Sequence, residues 1–290
     1  MSLSTDEIKL KQAVKLLCST GVRRPLQFER VKTWLNQFGA GPEQALGLLI
    51  LRHLIYRTHD QIESTLAQAL RHTAMHFVQD EQNRKKHHWH DILTGSTGLS
   101  FSFGPPRHDS TSPGKSGEVI IRLLKNKLKI PSRLISYPEV SQLGANERFI
   151  LVDDGTFTGE QLSNYINVFS SWFHAPGQTG IVVSIAHQKA LDNLRNIYPH
   201  IPVFYGEKIT ELDGLEALSQ AWIESGRWTY ENVTPIEVYR HVAQNKAKFS
   251  AAPLGYASLG LMVAYEHGVP DDSLQLLWDE SPTWMPLFDR

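Results

Sequence analysis

The chain has 290 residues, 41% of them hydrophobic and 20% charged, which suits one large or two small globular domains. Its 29 Lys and Arg against 30 Asp and Glu exclude a global electrostatic pull toward nucleic acid or an anionic membrane, and leave local basic runs to be judged on their own. The single cysteine, Cys18, excludes an internal disulfide and a cysteine metal cluster and fits a reducing cytoplasm. The apolar runs are too short to span a bilayer, and Met1-Ser2-Leu3 reads as the approach to a helix rather than a signal segment.

Residues 5–20 carry Ile8, Leu10, Val14, Leu16 and Leu17 at helical spacing, with Thr5 and Asp6 as capping residues and Gly21 as a stop. Residues 27–38 place Phe28, Val31, Trp34, Leu35 and Phe38 on one stripe, ended by Gly39 and Gly41. Residues 42–57 open with proline in the first turn, where its missing N–H costs little, and are apolar on most faces, as a helix central to a bundle is. Residues 59–79 read as a further amphipathic helix, so the first eighty residues predict a helical module. Cys18, on the first of these helices, reads as a small buried hydrophobe rather than a nucleophile.

Residues 80–91, DEQNRKKHHWHD, are polar and basic and predict a solvated linker. His87, His88 and His90 with Asp91 could be read as metal ligands, but adjacent histidines on an irregular segment seldom converge on one ion. The run Arg84-Lys85-Lys86-His87-His88-Trp89-His90 also suits nucleic acid, with Trp89 as a stacking ring, a reading that gains weight if the run faces other basic surface.

Residues 98–103 alternate as a strand does and lead into the loop GPPRHDSTSPGKSG. A helix over 117–128, a short strand over 133–137 and a continuous apolar strand over 149–153 follow. Next come a helix over 159–173, a strand over 180–186, a helix over 187–197 and a strand over 202–205. Strands alternating with helices predict a parallel sheet covered on both faces, with ligands outside the carboxyl ends of its strands. Residues 206–290 return to helix and loop and close with SPTWMPLFDR, expected to be an ordered cap.

Residues 149–160, FILVDDGTFTGE, hold the candidate site. Asp153 and Asp154 stand where the apolar strand should emerge at the rim, and two adjacent carboxylates there call for a partner such as a metal, hydroxyls or cations. The turn from Gly155 to Gly159 opens a helix; its amides and the positive helix end form an anion site, to which Thr156 and Thr158 add hydroxyls. Carboxylates for sugar hydroxyls beside an amide cradle for a phosphate suit a ribose 5-phosphate.

The stretch resembles the ribose-phosphate-binding motif of type I phosphoribosyltransferases, in which an apolar strand ends in two acids and a short loop reaches Thr-Gly before a helix. FILVDD and Phe157-Thr158-Gly159 fit that pattern; Gly155 and Thr156 replace aliphatic residues, and Glu160 and Gln161 replace small hydroxylated ones. The helical flanks, with TWLNQF and a PLGY…LLWDESPTWMPLFDR tail, resemble the phosphoribosyltransferase-like proteins of bacterial conflict and antiphage systems, including retron-associated ones.

The resemblance implies a Rossmann-like parallel α/β sheet of the phosphoribosyltransferase type over 93–206, an N-terminal helical module with basic linker over 1–92 and a helical C-terminal cap over 207–290. It implies Asp153 and Asp154 as catalytic residues and Mg²⁺ ligands. Gly155, Thr156, Phe157, Thr158, Gly159, Glu160 and Gln161 would bind the phosphate, and Lys115, Ser116 and Gly117 would form the pyrophosphate loop. The implied ligand is phosphoribosyl diphosphate or a nucleotide, and the implied partner is a defence-system protein such as a reverse transcriptase. A catalytically inactive sensor or assembly module is the alternative. A P-loop reading competes on the residues alone, since Gly114-Lys115-Ser116 resembles the end of a Walker A loop and ILVDD a Walker B strand; Asp109 stands where that loop needs glycine.

Overall fold

A computed structural model describes residues 5–78, 80–106, 116–137, 143–173, 177–249 and 252–289. In chain order the elements are α1 (Thr5–Ser19), α2 (Phe28–Leu35), α3 (Pro42–His53), β1 (Ile55–Arg57), α4 (His59–Phe77), α5 (Glu81–Lys86), α6 (Trp89–Thr94) and β2 (Ser100–Gly104). They continue with α7 (Ser116–Asn126), β3 (Glu147–Thr156), α8 (Glu160–Val168), α9 (Ser170–Phe173), β4 (Thr179–His187), α10 (Gln188–Ile197) and β5 (Val203–Ile209). The last are α11 (Leu215–Glu224), α12 (Pro235–His241) and β6 (Val263–Tyr265). None of the described helices is long and apolar enough to cross a membrane.

The chain forms two compact units, residues 60–210 and residues 1–59 with 211–290. This differs from the three consecutive segments expected over 1–92, 93–206 and 207–290. α4, expected in the N-terminal module, belongs to the sheet unit, because its apolar stripe packs on the sheet: Phe77 meets the rings of Phe101 and Phe204, and the hydroxyls of Thr65 and Ser184 are 2.6 Å apart. The expected linker is helical too, as α5 and α6.

In the unit 60–210 four strands pair in parallel in the order β2-β3-β4-β5. β4 is buried along its whole length, which explains its unbroken apolar run. Phe149, Leu151, Ile181 and Val183 pack on one face against Leu162, Tyr165 and Ile166 of α8 and Leu191 and Leu194 of α10, while α4 covers the other face. The short strand expected over 133–137 is reduced to one parallel bridge, Ile135 to Phe103, on the free edge of β2. With Ile135 counted, the spatial order reads second, first, third, fourth, fifth, so the direction of winding reverses between β2 and β3. In open α/β sheets that reversal opens a crevice at the carboxyl ends of the two strands.

In the other unit, segments from both ends of the chain share one core. α3 is buried from Ala45 to Leu51, and β1 pairs in parallel with β6, Ile55 opposite Val263 and Arg57 opposite Tyr265. The indole N–H groups of Trp34 and Trp284 both donate to the Leu276 carbonyl, at 2.9 and 3.0 Å. Arg23, buried, donates to the Leu51 and Leu54 carbonyls at 2.6 and 2.8 Å and so satisfies the end of α3; burial pulls its pKa down to about 10. α12 starts on a capping box between Thr234 and Glu237, with Pro235 at its first position.

Candidate functional site

β3 does not end at the first acid. Its pairing with β4 continues from Asp153 opposite Val183 to Thr156 opposite Ala186, so Asp153 stays inside the sheet and is 3% exposed. Asp154 and Gly155, next in the strand, are half-buried. The expectation that both acids emerge at the rim is therefore corrected for Asp153. Its carboxylate accepts the Asp154 N–H at 3.0 Å. Burial, and then the neighbouring Asp154 carboxylate, raise the Asp153 pKa well above the usual carboxylate range; the Asp154 amide and Ser116 hydroxyl oppose this.

The turn that follows is closely packed. Thr156, Phe157 and Thr158 are buried, and Gly159 takes the left-handed conformation, φ 82°, as the N-cap of α8. A Cβ at Gly159 would lie 3.3 Å from the Ala190 carbonyl and from Leu194 of α10, so glycine is needed both for the backbone angle and for the approach. Asn193 of α10 donates to the Thr158 carbonyl at 2.9 Å, and the Thr158 hydroxyl accepts the Glu160 N–H at 3.3 Å. The Ser163 N–H bonds back to the Gly159 carbonyl at 2.9 Å, which leaves the first-turn amides of α8 at the open end of the helix. Glu160 and Gln161 are exposed, so the acid at 160 does not occupy the turn by being buried in it.

On the β2 side, Ser116 opens α7 and Gly117 is buried; a Cβ on Gly117 would come within 2.7 Å of Pro105, just beyond the end of β2. Ser116 and Asp153 are thus brought together across the reversal of winding. Lys115, with Gly114 and Asp109 of the competing P-loop reading, lies outside the described residues. Asn193 and His187 were not singled out from the sequence. His187 ends β4 at the same carboxyl edge, is buried, and accepts the Lys189 N–H on Nδ1 at 3.1 Å. A histidine at a strand-to-helix junction was the available signal for it; Asn193 on an amphipathic helix gave none.

Among the described residues, no three His, Cys, Asp or Glu side chains converge as a metal cage, and His87, His88, His90 and Asp91 are no exception.

The sequence model of the family described as PRTase-CE matches residues 31–290. Among solved structures, the chain is similar to the orotate phosphoribosyltransferase from Aeropyrum pernix, with 15% identity over 47% of this chain and 73% of that one and a TM-score of 0.25. No curated protein matches it. The family match runs through the parallel sheet, its acidic strand and the flanking segments, and on that ground this phosphoribosyltransferase-like chain belongs to the PRTase-CE family.

Proposed function

We propose that the crevice at the carboxyl ends of β2 and β3 binds a ribose 5-phosphate group, supplied by phosphoribosyl diphosphate or a nucleotide. The observation that carries this reading is the reversal of winding between β2 and β3, which sets the acidic end of β3 beside the β2 edge from which the chain enters α7 at Ser116. Asp154, half-buried beside the enclosed Asp153, suits a vicinal diol, because its carboxylate oxygens can accept from two neighbouring hydroxyls. The Thr156–Gln161 turn, with Gly155 before it, offers the 5-phosphate the first-turn amides of α8. Lys115, Ser116 and Gly117 would face charge on the leaving group.

The chemistry this suits is glycosyl transfer or N-glycosidic cleavage at the anomeric carbon, where a carboxylate stabilises positive charge that develops as the bond to the leaving group breaks. The residues fit a Mg²⁺ that arrives with substrate phosphates, since such ions use one or two carboxylates rather than a protein cage. Asp154 would be its direct ligand and Asp153 its neighbour, and the ion would neutralise phosphate charge. The setting we propose is a bacterial antiphage effector working with a defence-system protein such as a reverse transcriptase.

A second reading, a nucleotide-sensing or assembly module without turnover, is favoured by the burial of Asp153, which leaves one acid rather than two facing the crevice. Calorimetry with phosphoribosyl diphosphate and Mg²⁺, followed by pyrophosphate release with nucleobases, separates the two. Binding lost in Asp154→Asn with release in the wild type is the expected result, whereas binding without release supports the sensor. No binding at millimolar ligand would end both.

A further inference from the structure

We propose that a groove between α4 and α6 binds single-stranded nucleic acid, with Trp89 stacking a base and Arg71 and Lys86 holding phosphates. The groove, of about 430 Å³, is open and lined by Ala67, Gln68, Arg71, His72 and Trp89. Its α4 wall follows from helical spacing: Leu66, Ala69, Leu70 and Thr73 are buried, so Gln68, Arg71 and His72 face outward. The other wall is the first residue of α6, a half-buried indole whose ring lies 5.5 Å from His88 and 5.6 Å from His90.

The surroundings are cationic. Arg71 and Lys86 are exposed and have no carboxylate partner among the described residues, whereas Lys85 is engaged by Glu81 at 2.7 Å and Lys127 by Asp60 at 3.2 Å. The His90 Nε2 sits 3.3 Å from the Lys129 carbonyl, while the Lys129 ammonium donates to the Asn126 carbonyl at 2.6 Å. No carboxylate lines the groove; Asp91, two residues beyond Trp89, is outside it. Trp89 of the basic run therefore shares its groove with Arg71 and His72 of α4, a setting in which the composition of the run points to a polyanion.

An indole face accepts any base, and unpaired cations beside it attract the phosphates that connect bases. A duplex keeps its bases stacked inside, so only a single strand can use the ring. No residue of the groove belongs to Asp153–Gln161, so this proposal and the ribose-phosphate reading fail separately.

The test is fluorescence anisotropy with the full chain and labelled oligo(dT) and oligo(U) of about 15 nucleotides, a length that spans a typical single-strand site. Binding of either oligomer in the micromolar range, weakened about tenfold by Trp89→Ala and restored by Trp89→Phe, is the expected result. Arg71→Glu should weaken binding and lower the slope of log affinity against log salt by roughly one. Lys32→Glu, on the exposed face of α2, should leave binding unchanged. The proposal is overturned if the wild type binds neither oligomer, if Trp89→Ala and Arg71→Glu bind as the wild type does, or if a duplex of equal length competes as well as a single strand. Circular dichroism of each variant separates lost contact from lost fold.

Discussion

Asp153 shows how three residues of strand change the chemistry of a carboxyl group. Had β3 stopped at residue 153, its charge would meet water; pairing through Thr156 encloses it, and its pKa rises. The consequence for stability has a definite sign. Below the unfolded carboxylate value of about 3.9 both states hold the proton and the group contributes nothing. As pH climbs from there toward the raised folded value, the unfolded chain releases its proton and the folded chain keeps it, so stability falls, and it levels off once the folded value is passed. Urea midpoints of the wild type should therefore decline over this range, and Asp153→Asn should remove that decline, because asparagine carries no charge to desolvate and keeps an acceptor for the Asp154 amide. Asp153→Ala should instead cost roughly 1–3 kcal/mol, since buried donors lose their acceptor. The adjacent acids and the Thr-Gly turn were legible as a site because residue type reveals chemistry. Their burial was not, because it depends on how far β3 pairs with β4.

At the scale of elements, local periodicity carried most of the reading. The helices expected over 5–20, 27–38, 117–128 and 187–197 appear within a few residues of those limits, as do the strands at 98–103 and 180–186. β1 was absorbed into the helix expected over 42–57, because Leu54, Ile55 and Tyr56 prolong its apolar run and the strand's partner is β6, far along the chain. The closing segment was read as helix and loop, and β6 within it carries too short a pattern to be seen. One glycine shows what periodicity conceals. Gly206 of β5 lies so close to α4 that a Cβ would overlap the Thr65 backbone. Gly206→Ala should therefore cost roughly 1–3 kcal/mol through overpacking, measured as a lowered midpoint in chemical denaturation, although alanine suits a strand better than glycine does elsewhere.

At the scale of the molecule, the aromatic tail acts as core. Trp284 is 2% exposed, with its ring 6.1 Å from Trp34 and 5.2 Å from Phe38. Arg30 of α2 adds hydrogen bonds to the Leu287 and Pro286 carbonyls at 3.1 and 3.0 Å. Trp284→Ala should cost about 3–5 kcal/mol. Hydrogen exchange should then speed up in α2 and α3, in a part of the sequence remote from the substitution. The sequence showed the tail to be ordered but not what it covers, since nothing in SPTWMPLFDR names Trp34 as its neighbour.

The pairing of β1 with β6 also sets an order of events in the cell. Ile55 leaves the ribosome long before Val263 exists, and all of residues 60–210 are synthesised in between. The sheet unit has its strands and helices contiguous in the chain and can close while translation continues. The earlier helices must wait with their apolar stripes uncovered until the later segment arrives, a delay of seconds at ordinary rates of synthesis. During that interval Trp34, Phe38 and the α3 run are exposed to chaperones and to other nascent chains, so slow or interrupted translation beyond residue 210 should harm the yield of this protein more than the same interruption before residue 60.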